Sequence, residues 1–359
     1  MTVARAPSPT PWRRRLGVGL AALVTLGAAT FGGVSCAMSA PRYVGPVSDH
    51  FDGETFHNDP DIPDKGLLDI LAWQTQRKRG KWPAWVPNRV YPKPRARVGP
   101  GELEVWFVNH ATTLVQLDGL NVLTDPIYSD RASPVSWAGP GRARAPGIAF
   151  DDLPPIDAVV ISHNHYDHLD VATLRRLAER HHPQIYVGLG NELLLAREGV
   201  DGAVPLDWHE ARELRGVTVR AVPSQHWSAR WIGDQRVVLW AAWLLESPSG
   251  GRVYFAGDTG YGPHFAKTRA RYGDVRLALL PIGAYEPRWF MKHHHMSPDD
   301  ALVAHADLGA RTSVAIHFGT FALADDGYDE APTRAAELAK AAGARFLVLD
   351  QGEGVVVPP

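Results

Sequence analysis

The segment Ile161-Ser162-His163-Asn164-His165-Tyr166-Asp167-His168-Leu169-Asp170 sets three histidines and a carboxylate within six residues, directly after an apolar run. Imidazole and carboxylate together suit Zn²⁺ or a similar borderline cation. The order of the four groups provides for two metal sites in one loop. Asp157 to Ile161 reads as a buried strand of a parallel sheet, and Asp170 to Arg180 as the helix that follows. The ligands therefore sit at the carboxyl end of a strand, where open α/β sheets place their sites. Any one of these histidines alone would read as a solvated or hydrogen-bonded loop residue. The cluster, bounded by strand and helix, reads as metal-binding.

Other elements must bring further ligands to that loop. Leu103 to Val108, Thr113 to Leu117 and Asn121 to Thr124 read as strands joined by tight connections, with Asp118-Gly119 as a turn. Further strands are expected at Ile185 to Val187, Val217 to Val222, Val237 to Leu245, Val253 to Ala256, Leu277 to Pro281, Ser313 to His317 and Phe346 to Leu349. Helices fit Glu192 to Glu198, Pro263 to Tyr272, Pro298 to Asp307 and Ala331 to Ala342. Strand runs that later alternate with helices imply two sheets packed face to face with helices outside. His226, Asp258 and His317 fall at the ends of expected strands, so positions far apart in sequence converge on one edge. Each also has a plainer reading: an Asp in Gly257-Asp258-Thr259-Gly260 caps a turn, and a lone strand-end histidine is a hydrogen-bonded core residue.

His163-x-His165-x-Asp167-His168 resembles the signature of the metallo-β-lactamase superfamily of binuclear metallohydrolases. Longer strings are similar to its branch that hydrolyses N-acyl-phosphatidylethanolamine in phospholipase D fashion. They are Thr124-Asp125-Pro126-Ile127-Tyr128, Pro223-Ser224-Gln225-His226-Trp227, Phe255-Ala256-Gly257-Asp258-Thr259-Gly260-Tyr261 and Pro281-Ile282-Gly283-Ala284-Tyr285-Glu286-Pro287-Arg288-Trp289-Phe290-Met291-Lys292. The resemblance runs from about Trp106 to Gly352. It implies an α/β fold, the αββα sandwich of two packed mixed sheets with helices outside. It also implies two Zn²⁺ or other divalent ions, one on His163, His165 and His226, the other on Asp167, His168 and His317, with Asp258 bridging. Two such cations acidify a shared water, which supplies hydroxide at neutral pH, and clamp the oxygens of a phosphodiester. Asp167 then also acts at the catalytic centre, and His295 aligns with the family's additional active-site histidine. His294, Tyr166, Gln225 and His110 are read as facing the substrate or supporting the ligands. Relatives carry Gly-His-Ala-Thr where this chain has Asn109-His110-Ala111-Thr112, which adds a side chain near the site.

The resemblance implies a phosphodiesterase acting on N-acyl-phosphatidylethanolamine or a related phospholipid. A lactonase or other acyl hydrolase uses the same centre, since fold alone does not choose the substrate. A non-catalytic envelope protein would have lost a ligand, and all seven positions are filled. With 359 residues, 45% of them apolar, and a net charge of −2, there is no basic stripe for nucleic acid. The sequence leaves a homodimer open.

Arg13-Arg14-Arg15 precede an uncharged run, Leu16 to Met38, that ends among small residues. Residues 1–40 thus read as an export signal or, alternatively, a membrane anchor. Cys36, the single cysteine, follows Gly33-Val34-Ser35 in a segment resembling a lipoprotein cleavage box. The bacterial cell envelope is the expected location, periplasmic or tethered. Residues 41–100 form a Trp- and Pro-rich extension with a helix near Lys65 to Lys78. That extension packs on the core or, through Trp73, Trp82, Trp85 and neighbouring basic residues, on a membrane surface. Residues 101–359 form the catalytic domain.

Overall fold

The computed structural model describes residues 38–63 and 65–359. Arg13 to Arg15, Cys36 and nearly all of the apolar run assigned to export lie outside them. Among the described residues, no helix is long and apolar enough to cross a membrane.

Among the described residues, fourteen strands form two seven-stranded sheets. In chain order they are β1 (Leu103–Asn109), β2 (Thr112–Leu117), β3 (Leu120–Thr124), β4 (Ala158–Val160), β5 (Gln184–Gly188), β6 (Val204–Leu206), β7 (Ala211–Leu214), β8 (Val217–Val222), β9 (Ala242–Ser247), β10 (Gly251–Phe255), β11 (Leu277–Pro281), β12 (Thr312–Ile316), β13 (Phe346–Leu347) and β14 (Gly354–Val356). The first sheet runs β14-β1-β2-β3-β4-β5-β6 and the second β13-β12-β11-β10-β9-β8-β7. Both are mixed. β1 to β3 and β7 to β10 pair antiparallel, while β3 to β6 and β10 to β13 pair parallel.

Alternation along each strand sorts its side chains between two buried layers. Val105, Phe107, Val115, Val122 and Val160 of the first sheet meet Val219, Trp243, Phe255, Leu279 and Ile316 of the second in the central core. The intervening residues face outward and are covered by helices, because these strands are buried on both sides. Leu114, Leu123, Val159 and Ile185 pack with Leu174 and Leu177 of the helix Val171–His181. Leu244, Tyr254, Ala278 and Ala315 pack with Phe265, Ala304 and Ala335 of the helices His264–Tyr272, Pro298–Asp307 and Glu330–Ala342. The layers are therefore helix, sheet, sheet, helix, as expected.

One expectation changes, and the extension takes one of its two expected places. The strand anticipated from Val237 joins the ladder only at Ala242, and Val237 to Ala241 are buried outside it. The extension before residue 100 lies on the core: Phe51 and Phe56 enter the central cluster, and Arg77 pairs with Asp325 at 2.7 Å. Trp73 donates its indole N–H to Asp325 and Trp82 donates to the Asp326 carbonyl. Those two indoles are thus packing groups, and only Trp85 of the three stands exposed.

His50 ties this extension to the strand-end residue Asp207. Its Nε2 lies 2.7 Å from Asp207 Oδ1, its Nδ1 lies 2.6 Å from Asp49 Oδ1, and its ring stacks on Trp208. Burial opposes charge on this ring, but Asp207 and Asp49 outweigh it and raise the imidazole above its ordinary value. A raised folded-state value stabilises the fold fully below the unfolded value and loses that contribution as pH rises through the folded one. His50→Phe, which keeps the stacking, should therefore lower Tm more at about pH 6 than at about pH 9. A pH-independent difference in thermal melts would remove the ion pair from this account.

Candidate metal centre

Four strand ends deliver the site. The His163–His168 loop follows β4, His226 follows β8, Asp258 follows β10 and His317 follows β12 directly. Gly257 permits the crossing of two of them: it has φ +59°, and a Cβ there would overlap the Ser162 side chain. His110, Asp125 and His317 are non-glycine residues held at φ of 46°, 34° and 61°. Such conformations cost of order 1–3 kcal/mol each and persist only where the surroundings enforce them.

The predicted residues meet in two groups. His163 Nε2 lies 2.8 Å from His165 Nδ1, which lies 3.4 Å from His226 Nε2. In the second group His168 Nε2 and His317 Nε2 stand 3.3 and 3.4 Å from Asp167 Oδ2. Asp258 Oδ2 lies between the groups, 3.1 Å from His168, 3.0 Å from His317 and 4.0 Å from His226. All seven positions named from sequence therefore come together.

Their surroundings suit a cation. His168 Nε2, His317 Nε2 and Asp258 Oδ1 are buried and make no hydrogen bond to protein, an arrangement that native interiors avoid unless something else satisfies the atoms. Burial holds His163 and His226 well below the imidazole range and His165 at about 4, leaving lone pairs free for coordination. Burial also opposes charge on His168 and His317, yet Asp258 and Asp167 outweigh it. His168 rises well above its usual value and His317 to about 9. Asp167 and Asp258 are pushed up by burial but pulled further down by these histidines, and both stay ionised. The two carboxylates thus stabilise positive charge at the second group, which a divalent cation would supply in place of the protons. The donor set fits the metals that the resemblance implies.

A ring of supporting contacts fixes the ligands. His168 Nδ1 lies 2.6 Å from Asp125 Oδ2, and Asp125 also accepts from the Ser162 backbone N–H and hydroxyl. Ser162 Oγ lies 2.9 Å from His163 Nδ1. His226 Nδ1 is 3.0 Å from the His294 carbonyl. Asn58, from the extension, clamps the His226 backbone: its Nδ2 donates to His226 O at 2.9 Å and its Oδ1 accepts from His226 N at 3.0 Å. Asp125, Ser162 and Asn58 had no assigned role from sequence. Asp125 stands in a string quoted for the resemblance, whereas no local pattern marks Asn58.

The remaining candidates separate. His110 Nε2 lies 2.9 Å from Asp167 Oδ2, and burial lowers its ring to about 3, so it supports the ligand rather than facing substrate. Asn109 turns inward and donates to the Ile127 carbonyl, so the side chain that replaces glycine stays out of the site. Gln225 donates to the His293 carbonyl and holds that loop. Tyr166 is not brought to the cluster. Its ring lies under the Arg230 guanidinium at 3.6 Å and lines a cavity of about 590 Å³ that contains none of the seven residues. His295 Nδ1 stands 3.7 Å from Asp258 Oδ2 without a hydrogen bond, and burial lowers its ring to about 4. His294 is lowered to about 3 by burial, and its ring packs near Trp227.

A family model described as Beta-lactamase superfamily domain matches residues 120–318. The chain belongs to the metallo-β-lactamase superfamily. With this fold and this His/Asp cluster, the protein is a metal-dependent hydrolase. Among its superfamily relatives, the N-acyl-phosphatidylethanolamine-hydrolyzing phospholipase D 1 of Caenorhabditis elegans is 41% identical over 234 residues, 62% of this chain and 65% of the nematode protein. This chain thus spans just under two thirds of that relative's length. The mitochondrial N-acyl-phosphatidylethanolamine-hydrolyzing phospholipase D of Saccharomyces cerevisiae is 30% identical over 290 residues, covering 73% of this chain and 62% of the yeast protein. A solved metallo hydrolase from Ignicoccus hospitalis shares the superfamily fold with a TM-score of 0.55 at 22% identity, over 72% of this chain and 99% of that one.

The Asn58 clamp leads to a direct expectation. Asn58→Ala should weaken metal retention about 10–100-fold, the range for lost outer contacts to a ligand, while the fold persists. Chelator competition followed by elemental analysis measures it. Unchanged metal affinity with only a lower Tm would reduce the clamp to packing.

Proposed function

We propose that the protein is a binuclear-metal phosphodiesterase that hydrolyses N-acyl-phosphatidylethanolamine or a related phospholipid on the headgroup side. The observation that carries this reading is the convergence of the complete seven-residue His/Asp set in a chain 41% identical to a nematode phospholipase D of that specificity. His163, His165 and His226 would hold one cation and Asp167, His168 and His317 the other, with Asp258 reaching both. Bound there, two divalent ions such as Zn²⁺ would supply an acidified water and positive charge against the phosphodiester oxygens.

The chain's own groups do the rest. Asp125 and His110 orient His168 and Asp167, so the ligand atoms need not reorganise. His295 presents an unpaired Nδ1 beside Asp258 and can hold a proton toward the phosphate or the leaving oxygen. Delivery to the bacterial envelope by residues 1–40 would place this site near its lipid.

Mass spectrometry of products from a mixed lipid extract, run beside a lactone panel, tests the reading. Release of N-acylethanolamine and phosphatidic acid is the expected result, with elemental analysis giving about two metals per chain. Turnover of lactones alone would make it an acyl hydrolase instead.

A further inference from the structure

The helix Leu67–Gln76 buries none of its residues. Leu67, Leu68 and Leu71 are 71%, 80% and 50% exposed, and the helical repeat puts them on one stripe. The side turned to the protein carries Trp73, stacked on Phe290 with centroids 4.8 Å apart. The leucines of this helix therefore face solvent, the reverse of the usual arrangement. Trp289 continues the patch at 44% exposure. Lys65 joins the two pieces, donating to the Trp289 carbonyl at 3.2 Å with its ammonium 5.7 Å from the ring centroid. An apolar patch of this kind marks an interaction site.

Cations stand at its edge: Lys292 is exposed three residues after Trp289, and exposed Lys78 shares a cleft with Trp73 and Trp289, beside Glu286. The single acid of the helix, Asp69, is engaged by the Gly66 N–H at 2.9 Å. Leucines for the acyl boundary, a tryptophan for the headgroup zone and lysines for anionic charge make a lipid surface the matching partner.

We propose that this patch is where the protein rests on an anionic bilayer. It deepens the phospholipid reading and rests on it for its purpose. The chain after Trp289 leads straight to His293–His295, and Arg288 Nη1 donates to the His295 carbonyl at 3.0 Å. A bilayer seated on the leucines therefore lies beside the loop that reaches the metal cluster. This moves the membrane contact from Trp82 and Trp85 to Leu67, Leu68, Leu71 and Trp289.

Hydrogen–deuterium exchange on the full-length, metal-loaded protein tests the surface locally, whatever residues 1–40 do. With phosphatidylcholine vesicles containing phosphatidylglycerol, exchange across 67–76 should slow about tenfold or more, while the helix at 330–342 stays unchanged. The triple variant Leu67→Gln, Leu68→Gln, Leu71→Gln should lose this protection. Its hydrolysis of N-acyl-phosphatidylethanolamine in vesicles should fall about tenfold, with hydrolysis of a short-chain soluble analogue within about twofold of wild type. Unchanged exchange on adding vesicles, or equal losses on both substrates, would overturn the proposal. So would protection present without lipid and lost on dilution, which assigns the patch to a second copy of the chain. If wild type cleaves neither phosphodiester while vesicles still protect 67–76, the substrate reading fails and the docking surface stands.

Discussion

Asp258→Asn is expected to remove most bound metal and to lower turnover by more than about a hundredfold, beyond the loss seen for outer contacts. Asp258 Oδ2 is the atom that approaches both groups, lying 3.0–3.1 Å from His317 and His168 and 4.0 Å from His226. An amide keeps the shape but removes the charge, and two nearby cations repel each other unless anionic ligands stand between them. The fold should survive, because the carboxylate sits in a loop after β10 and the packed layers do not depend on it. Elemental analysis, circular dichroism and turnover measured on one preparation separate these effects. Wild-type turnover with full metal content would sink the bridging role.

The second large effect is expected at His295. His295→Ala should cost about 10²-fold in turnover, the scale of a lost general acid–base group, while leaving metal content near that of wild type. The ring stands 3.7 Å from Asp258 and within 4.8 Å of the His226 and Asp258 ligand atoms, so coordination is the competing role. The two roles part on metal content, since a lost ligand releases metal and a lost proton carrier does not. His295→Gln, which keeps a hydrogen-bonding group without acid–base chemistry, should be nearly as slow as alanine. A drop in bound metal in either variant would make His295 a ligand.

The reading of His295 shows how far local sequence reaches. Its neighbourhood to Met291-Lys292 is a matter of spacing, but its distance from Asp258 depends on Gln225 holding the His293 carbonyl and Arg288 holding that of His295. Likewise, the three tryptophans at 73, 82 and 85 share one composition and two environments. Trp73 and Trp82 found carbonyl or carboxylate partners near residue 325, about 250 positions away, which no window of sequence contains.

What the sequence by itself determined was the chemistry in the loop and the layered architecture. Three imidazoles and a carboxylate within six residues mark a metal-binding loop, which His226, His317 and Asp258 complete from other strand ends. Strand runs interleaved with amphipathic helices specify sheets covered by helices, because period-two and period-3.6 patterns are local properties. The edge strands β6, β7 and β14 are only partly buried and carry no long apolar run to mark them, so they are not among the strands expected from sequence. Only the tertiary structure decided which strand ends became neighbours. Asn58 reaches His226 across 168 residues and Ser162 reaches Asp125 across 37, contacts set by strand order and by the approach that Gly257 allows. It also decided that the leucines of Leu67–Gln76 face outward. The pattern of a helix marks an apolar stripe, and only the packing of Trp73 on Phe290 selects the side that meets the protein.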